Sequence, residues 1–473
     1  MRVDILFAIM AVQEVVFFAP IAKRLMEEEG LRVAFLTFHE AGDDILEREG
    51  IPYFSLHKIR RAINQKEATP VQIKDIEDAL QIQNNKLIVH EMLTANRKDE
   101  NFLNSKIIQY YTIIDKILRE NSIGCVVQEL GGFIAPQLLY YLSRYHNVNH
   151  VFIEPAMFPK RVVFTLNRLF ADIDDYADSI LGDGLDRDVG ALVKRYMDKK
   201  VVVIPKKDRH FFQDMTLKRI FALDNFHRLT RKLYHKYIIG REEEYDAISW
   251  YIVYHFMKLF RRKMLKRCYS DHAAGEKYIY FPFHVPLDVQ LTVRCPEFLN
   301  QEAIVEQIAA SIPDGYMLYI KEHPAAIGGH SLARLKRLAA LKNVRLLHPR
   351  NNSYNIIRNA LCVITINSKV GFEAIMQGKP VVVLGKTFYR GKGVTVDVDK
   401  LADIPDAISK AINMKVDNVR RDYFLNQSFQ WSYKGELYEN SPENVENFYS
   451  SLKIFISKLR MLRENISAED TIN

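Results

Sequence analysis

The chain has 473 residues, 48% of them apolar, and a formal net charge of +8. That length exceeds one compact core and predicts two domains, with apolar content enough for both. No run nears the ~18–20 uninterrupted apolar residues of a membrane span, and Cys125, Cys268, Cys295 and Cys362 show neither paired nor metal-ligand spacing, so they read as reduced structural thiols in the cytosol.

Residues 1–18 are apolar but broken by Asp4, Gln13 and Glu14, which predicts a buried first strand over 3–10 rather than a signal peptide. A helix over 20–29 stops at Gly30, a strand follows over 31–37, and a helix over 43–49 stops at Gly50. Residues 66–120 read as a polar helical excursion. Short strands over 124–127 and 148–153 are each followed by a carboxylate, Glu129 and Glu154. Residues 160–268 read as largely helical. Within them, 226–268 holds eleven Lys/Arg against four Asp/Glu, with an aromatic run from Trp250 to Phe256 just before Arg261-Arg262-Lys263. Such a basic amphipathic helix fits an anionic membrane surface. The alternative is a helix packed into its own domain with a solvated basic face. No recognition motif or stacking platform points to nucleic acid.

A second α/β pattern begins at 278–281 and continues with strands over 316–321, 344–347, 362–365 and 381–384, helices lying between them. An amphipathic helix over 442–463 carries Phe448, Leu452, Phe455, Ile456 and Leu459 on one face and is placed to return to the first domain. The expected fold is α/β of the GT-B type: two doubly wound Rossmann-like domains facing a cleft, with a helical insertion. The boundaries read as 1–160 for an acceptor-side domain, 161–274 for the insertion, 275–435 for a nucleotide-sugar domain, and 436–473 for the returning helix and tail.

The chemistry concentrates at expected strand ends, where open α/β sheets bind ligands. Lys321-Glu322-His323-Pro324 ends one strand, and an imidazole there can hydrogen-bond a phosphate and offset charge on a departing nucleotide. Pro324 stops pairing and fixes the turn. Alone, the histidine would read as an ordinary turn residue. Thr365-Ile366-Asn367-Ser368-Lys369 ends another strand, followed by Gly371 and Glu373 on a helix. Ser368 and the free amides there form a phosphate cradle, or a simple N-cap; Glu373 is placed for a ribose. The 388–395 loop, with Tyr389, closes the set. Glu129 follows in a Gly131-Gly132 setting where a substrate could approach the backbone. Glu154 precedes Lys160 and Arg161, which could meet an acidic sugar's carboxylate. Either glutamate is a candidate base or a structural anion. Asp172-Ile173-Asp174-Asp175 has the letters of a metal motif but no strand end, so no metal site is read.

Segment 278–395 resembles the capsule polysaccharide biosynthesis family, whose characterised members include retaining β-Kdo transferases. The likeness rests on Lys321 to Pro324, on Ser368-Lys369-Val370-Gly371-Phe372-Glu373-Ala374 through Gly378-Lys379-Pro380-Val381, and on Phe388 to Thr395. Arg390 and Lys392 depart from it, standing where Ala and Trp are common. The His-Pro and Ser pairing also resembles bacterial sialyltransferases, which share a CMP-linked donor. The resemblance implies an aspartate nucleophile after the first strand of the second half. Asp288 stands there, though Val289-Gln290 follows where a small residue is usual; the plainer reading is a loop cap or a partner for Arg294.

The expected function is therefore transfer of an ulosonic acid, Kdo, from a CMP-sugar to a lipid-linked or oligosaccharide acceptor of capsule or lipopolysaccharide glycan, without a cofactor. Asp288, Glu129 and Glu154 are the catalytic candidates. The nucleotide candidates are Lys321, His323, Pro324, Asn367, Ser368, Lys369, Gly371, Glu373 and Tyr389. A UDP-sugar or inverting transferase, a nucleotide-sugar epimerase, and a non-catalytic subunit of a capsule assembly complex are the rivals. The expected location is the cytoplasm, with the inner face of the cytoplasmic membrane as the surface for any peripheral contact.

Overall fold

β1 (Arg2–Ile9) is almost wholly apolar, and a strand of that kind must be covered on both faces. In the computed structural model it lies at the heart of a seven-stranded sheet. The structure describes residues 1–62, 72–173, 184–200, 223–239, 248–271 and 275–469. Asp174 and Asp175 of the acidic run and part of the basic stretch lie outside the described residues.

The first sheet adds β2 (Val33–Thr37), β3 (Tyr53–Ser55), β4 (Ser122–Glu129) and β5 (Asn149–Pro155), all parallel, in the order β5-β4-β1-β2-β3. β6 (Arg161–Leu166) then turns back antiparallel to β5. The expectation that residues from 160 onward are helical is corrected here. Lys160, at φ 55°, makes the turn, and Val162, Val163 and Phe164 are buried in the sheet. One face packs against the Glu100–Glu120 and Ile134–Tyr145 helices. The other packs against the Val12–Glu29 helix, itself covered by the Pro442–Glu469 helix through Phe448, Tyr449 and Leu452. Phe17 and Phe448 meet edge to face at 5.0 Å.

The second sheet is wholly parallel. It contains β7 (Tyr278–Pro282), β8 (Met317–Lys321), β9 (Val344–Leu347), β10 (Val363–Thr365), β11 (Val381–Val383) and β12 (Val396–Asp397), in the order β12-β11-β10-β7-β8-β9. Its strand order reverses between β7 and β10, and such a switch opens a crevice at the carboxyl ends of the strands. A two-residue strand, β13 (Tyr433–Lys434), then pairs antiparallel to β6, so the chain has rejoined the first sheet before the final helix.

The stretch 161–274 is not one helical insertion. Besides β6, the Arg187–Lys199 helix packs on the second domain, where Tyr196 meets Tyr354 and its Oη accepts from the Gln377 side-chain amide at 3.0 Å. The Ile248–Leu265 helix lies against the Leu332–Ala339 helix of the same domain. The two doubly wound units face each other as the GT-B arrangement expected from the sequence.

Candidate active site between the two sheets

The ends of both sheets enclose a cleft of ≈ 670 Å³. Glu129 and Glu154 line it from the first domain; Asp288, His323, Ser368, Lys369 and Glu373 line it from the second.

His323 leaves β8 and caps the short Pro324–Ala326 turn. Its Nδ1 accepts from the Ala325 N–H at 3.2 Å, which leaves the proton on Nε2. Burial lowers its pKa to about 4, with the Lys321 charge adding to the effect, so at neutral pH it is an uncharged donor. Its neighbours hold the turn. Lys321 donates to the Asn351 carbonyl at 2.9 Å and to Ser353 Oγ at 2.5 Å. Glu322 accepts from the Gly328 N–H at 2.9 Å and from Tyr269 Oη at 2.8 Å. Lys321, expected on the phosphate, thus spends its ammonium bracing the β8 end, and desolvation lowers its pKa to about 8.

Ser368 caps the Lys369–Met376 helix, its Oγ accepting from the Val370 N–H at 2.9 Å, so both the cap and an amide-lined helix start are present. Tyr389 and Gly371 serve this turn rather than a ligand. Buried Tyr389 donates to the Ser368 carbonyl at 2.7 Å, and a Cβ on Gly371 would stand 2.5 Å from that hydroxyl. Asn367 lines the cleft, and its amide donates to the Gln290 carbonyl at 2.8 Å, tying the β10 end to the Asp288 loop. Glu373 is 2% exposed, burial raises its pKa to about 7, and its Oε2 has no hydrogen-bond partner. A buried acceptor without a donor is costly, and a ligand hydroxyl would satisfy it.

Asp288 lies in the loop after β7 and caps the Val289–Thr292 helix, Oδ1 accepting from the Gln290 N–H at 2.9 Å. Arg294 reaches across the cleft to Glu154 in a two-pronged ion pair, Nη1 to Oε2 at 2.9 Å, and donates Nε to the Leu169 carbonyl at 2.8 Å. Glu154 is thereby committed to a cation. Glu129 accepts from Tyr438 Oη, a residue of the returning segment, and still lines the cleft.

Two more expectations change. Gly131 and Gly132 admit protein side chains: Cβ atoms there would stand 2.5 Å from Met10 Sδ and 2.3 Å from the His90 ring. Arg161 Nε donates to Ser432 Oγ at 2.6 Å, a contact that fastens β6 to the returning chain. The departures in the 388–395 loop have structural work. Arg390 donates to the Val383 and Val398 carbonyls at 3.1 and 3.0 Å, and Lys392 crosses to Asp172 and the Ile173 carbonyl at 3.0 and 2.8 Å. Among the described residues no group of three His, Cys, Asp or Glu is placed to hold a metal.

The sequence reading overlooked His90 and His284. His90 hydrogen-bonds Thr292 at 2.7 Å from the opposite domain, and burial takes its pKa to about 4. His284 follows β7, lines the cleft, and its buried Nε2 has no partner. Its position at a strand end, in Pro282-Phe283-His284, was the available signal.

Residues 202–430 match the family model described as capsule polysaccharide biosynthesis protein. That segment is just under half of the chain, and it is similar to the capsule polysaccharide biosynthesis family. The chain is 30% identical over 177 residues to protein FixF of Sinorhizobium fredii, covering 36% of this chain and 40% of that one. It is 28% identical over 164 residues to the capsule polysaccharide export protein KpsS of Escherichia coli, covering 32% and 41%. It is 33% identical over 101 residues to the capsule polysaccharide modification protein LipA of Neisseria meningitidis serogroup B, covering 21% and 14%. The chain thus spans less than half the length of each of these relatives. Among solved structures, the β-Kdo 2,7 transferase of Thermosulfurimonas dismutans KpsC aligns over 74% of this chain and 95% of its own, at 14% identity and TM-score 0.35. With similarity that slight, the architecture rests on this chain's own two sheets.

Proposed function

We propose that this protein is a glycosyltransferase that moves Kdo, or another ulosonic acid, from a CMP-activated donor to a glycan acceptor. One observation carries the reading. His323 Nε2–H, the Ser368 helix start and the orphaned Glu373 oxygen converge from the ends of β8 and β10, with Asp288 from β7 between them. Donors for a phosphate, an acceptor for a ribose hydroxyl and a carboxylate for an anomeric carbon are what a nucleotide-sugar donor needs.

In the proposed reaction an Asp288 carboxylate oxygen bonds to the anomeric carbon as the bond to the CMP phosphate oxygen breaks, and CMP departs with the electron pair. His323 donates to the phosphate, and the helix start offsets its charge. The acceptor hydroxyl then attacks the same carbon from the other side, Asp288 leaves, and the hydroxyl proton passes to Glu129. Glu129 is preferred to Glu154 for that step because Glu154 already neutralises Arg294. Arg294, the arginine half of that pair, lines the same cleft.

A thermal-shift series with CMP, UDP and GDP tests the donor assignment. A ligand at a hundred times its Kd stabilises by ~2.7 kcal/mol. CMP is expected to stabilise the protein and UDP is not, and His323→Ala and Ser368→Ala are each expected to weaken the response to CMP. A shift with UDP equal to or above that with CMP overturns the assignment.

A further inference from the structure

Among the described residues, one face of the Ile248–Leu265 helix anchors it to the second domain. Tyr254 lines the cleft, Lys258 donates to the Ala325 carbonyl at 3.4 Å, Arg261 donates to the His330 carbonyl at 3.4 Å, and Leu265 is fully buried. Those positions recur every three or four residues, one side of a helix. The approach is close: a Cβ on Gly328 would stand 2.4 Å from the Lys258 carbonyl oxygen. The helix therefore cannot roll to hide its other side.

That other side is apolar and exposed. Val253, Phe256, Met257, Phe260 and Met264 follow the same spacing, with Phe260 61% exposed. The preceding Leu223–Tyr237 helix and its end expose Phe226, Tyr234, Tyr237, Ile238 and Ile239 as well. A contiguous run of large apolar side chains is costly in water and marks a contact surface. Its charge says what kind. Exposed Lys263, Lys266 and Arg267 close the Ile248–Leu265 face, and the sequence holds no Asp or Glu from 248 to 270.

We infer that this face lies on an anionic lipid bilayer, its apolar stripe in the headgroup boundary and its cations over the lipid phosphates. A second copy of the chain would set these cations against their own kind, and the stripe offers no carboxylate to answer them. An apolar stripe on a helix that carries cations and no carboxylate is the pattern of an interfacial helix. None of the described helices is long and apolar enough to cross the membrane, so the contact is peripheral. Trp250 and Tyr254 of the same helix line the cleft, which puts its mouth beside the lipid surface. This inference stands whichever nucleotide the cleft takes.

Co-sedimentation of the full chain with phosphatidylcholine vesicles, and with vesicles containing about a third phosphatidylglycerol, tests it. Binding is expected to the anionic vesicles and to weaken steeply with salt. At roughly fivefold per cation, K263A/K266A/R267A should lose on the order of a hundredfold in affinity. F256S/F260S should lose at least about tenfold, because two exposed rings no longer enter the boundary. Both variants alter exposed side chains, and unchanged circular-dichroism melts would confirm that they fold. Equal binding to neutral vesicles, or anionic binding untouched by F256S/F260S, overturns the inference. So does a lipid-free dimer, seen by light scattering, that F256S/F260S dissolves, since the occupant would then be a second copy.

Discussion

Replacing Glu373 by glutamine removes a buried carboxyl that the fold holds against its own ionisation. In the folded chain the pKa stands at about 7 rather than 4.5, first because of burial and despite the nearby Lys369 and Lys321 charges. The folded state therefore keeps this proton over a pH range where the unfolded chain has lost it. Stability is fully present below about 4.5 and falls as pH rises towards 7. A gap of that size corresponds to about 3 kcal/mol, at 1.36 kcal/mol for each tenfold change in proton affinity. Glutamine keeps the shape and never ionises. Urea unfolding of both proteins at about pH 5 and about pH 7.5 is expected to show Glu373→Gln gaining about 2–3 kcal/mol on the parent between the two conditions. His90, His284 and His323, whose pKa values burial depresses, lose stability at the acid end in both proteins and cancel in the difference. A difference that does not change with pH would refute the buried-carboxyl account. In the same variant CMP is expected to bind more weakly, because an amide oxygen accepts a ribose hydroxyl less well than a carboxylate.

Breaking the cross-cleft pair by Arg294→Ala or Glu154→Gln should destabilise by about 3 kcal/mol each, since an unpaired charge is left largely buried. A double-mutant cycle should then return a coupling of roughly 1–3 kcal/mol, and additive losses would show that the pair does not join the domains. Gly371→Ala should gain about 1 kcal/mol of helix propensity and lose more, because its Cβ would stand 2.5 Å from Tyr389 Oη. A net loss of ~1–2 kcal/mol with a raised KM for the donor is expected; a more stable protein with unchanged KM would contradict the role given to Tyr389.

The strands that form the two sheets were legible where they are apolar on both faces, as in β1, β4, β7 and β8. β12 and β13 are two residues long, too short to leave a period. β6 was hidden for another reason. It is a hairpin return on an otherwise parallel sheet, and the regular alternation upstream led to a helix being expected after β5. At the site, residues of the strand-end motifs line the cleft. The motifs did not show that Lys321, Asn367 and Tyr389, which line it, also hold neighbouring loops. That second role depends on contacts between strand ends far apart in sequence. The same holds for Glu154, whose partner Arg294 lies 140 residues away.

The central claim is a covalent transfer through Asp288, and the most direct test is to incubate the protein with CMP-Kdo and no acceptor. Intact and peptide mass spectrometry are predicted to find a glycosyl adduct on the peptide holding Asp288, formed with release of CMP. Asp288→Ala should bind CMP nearly as well as the parent but form no adduct, and its transfer rate should fall far beyond the ~10²–10⁴-fold of a lost general base. Transfer that survives in Asp288→Ala at more than a few per cent of the parent rate, with no adduct on either protein, would contradict the account and move the chemistry to a single-step displacement with Glu129 as base.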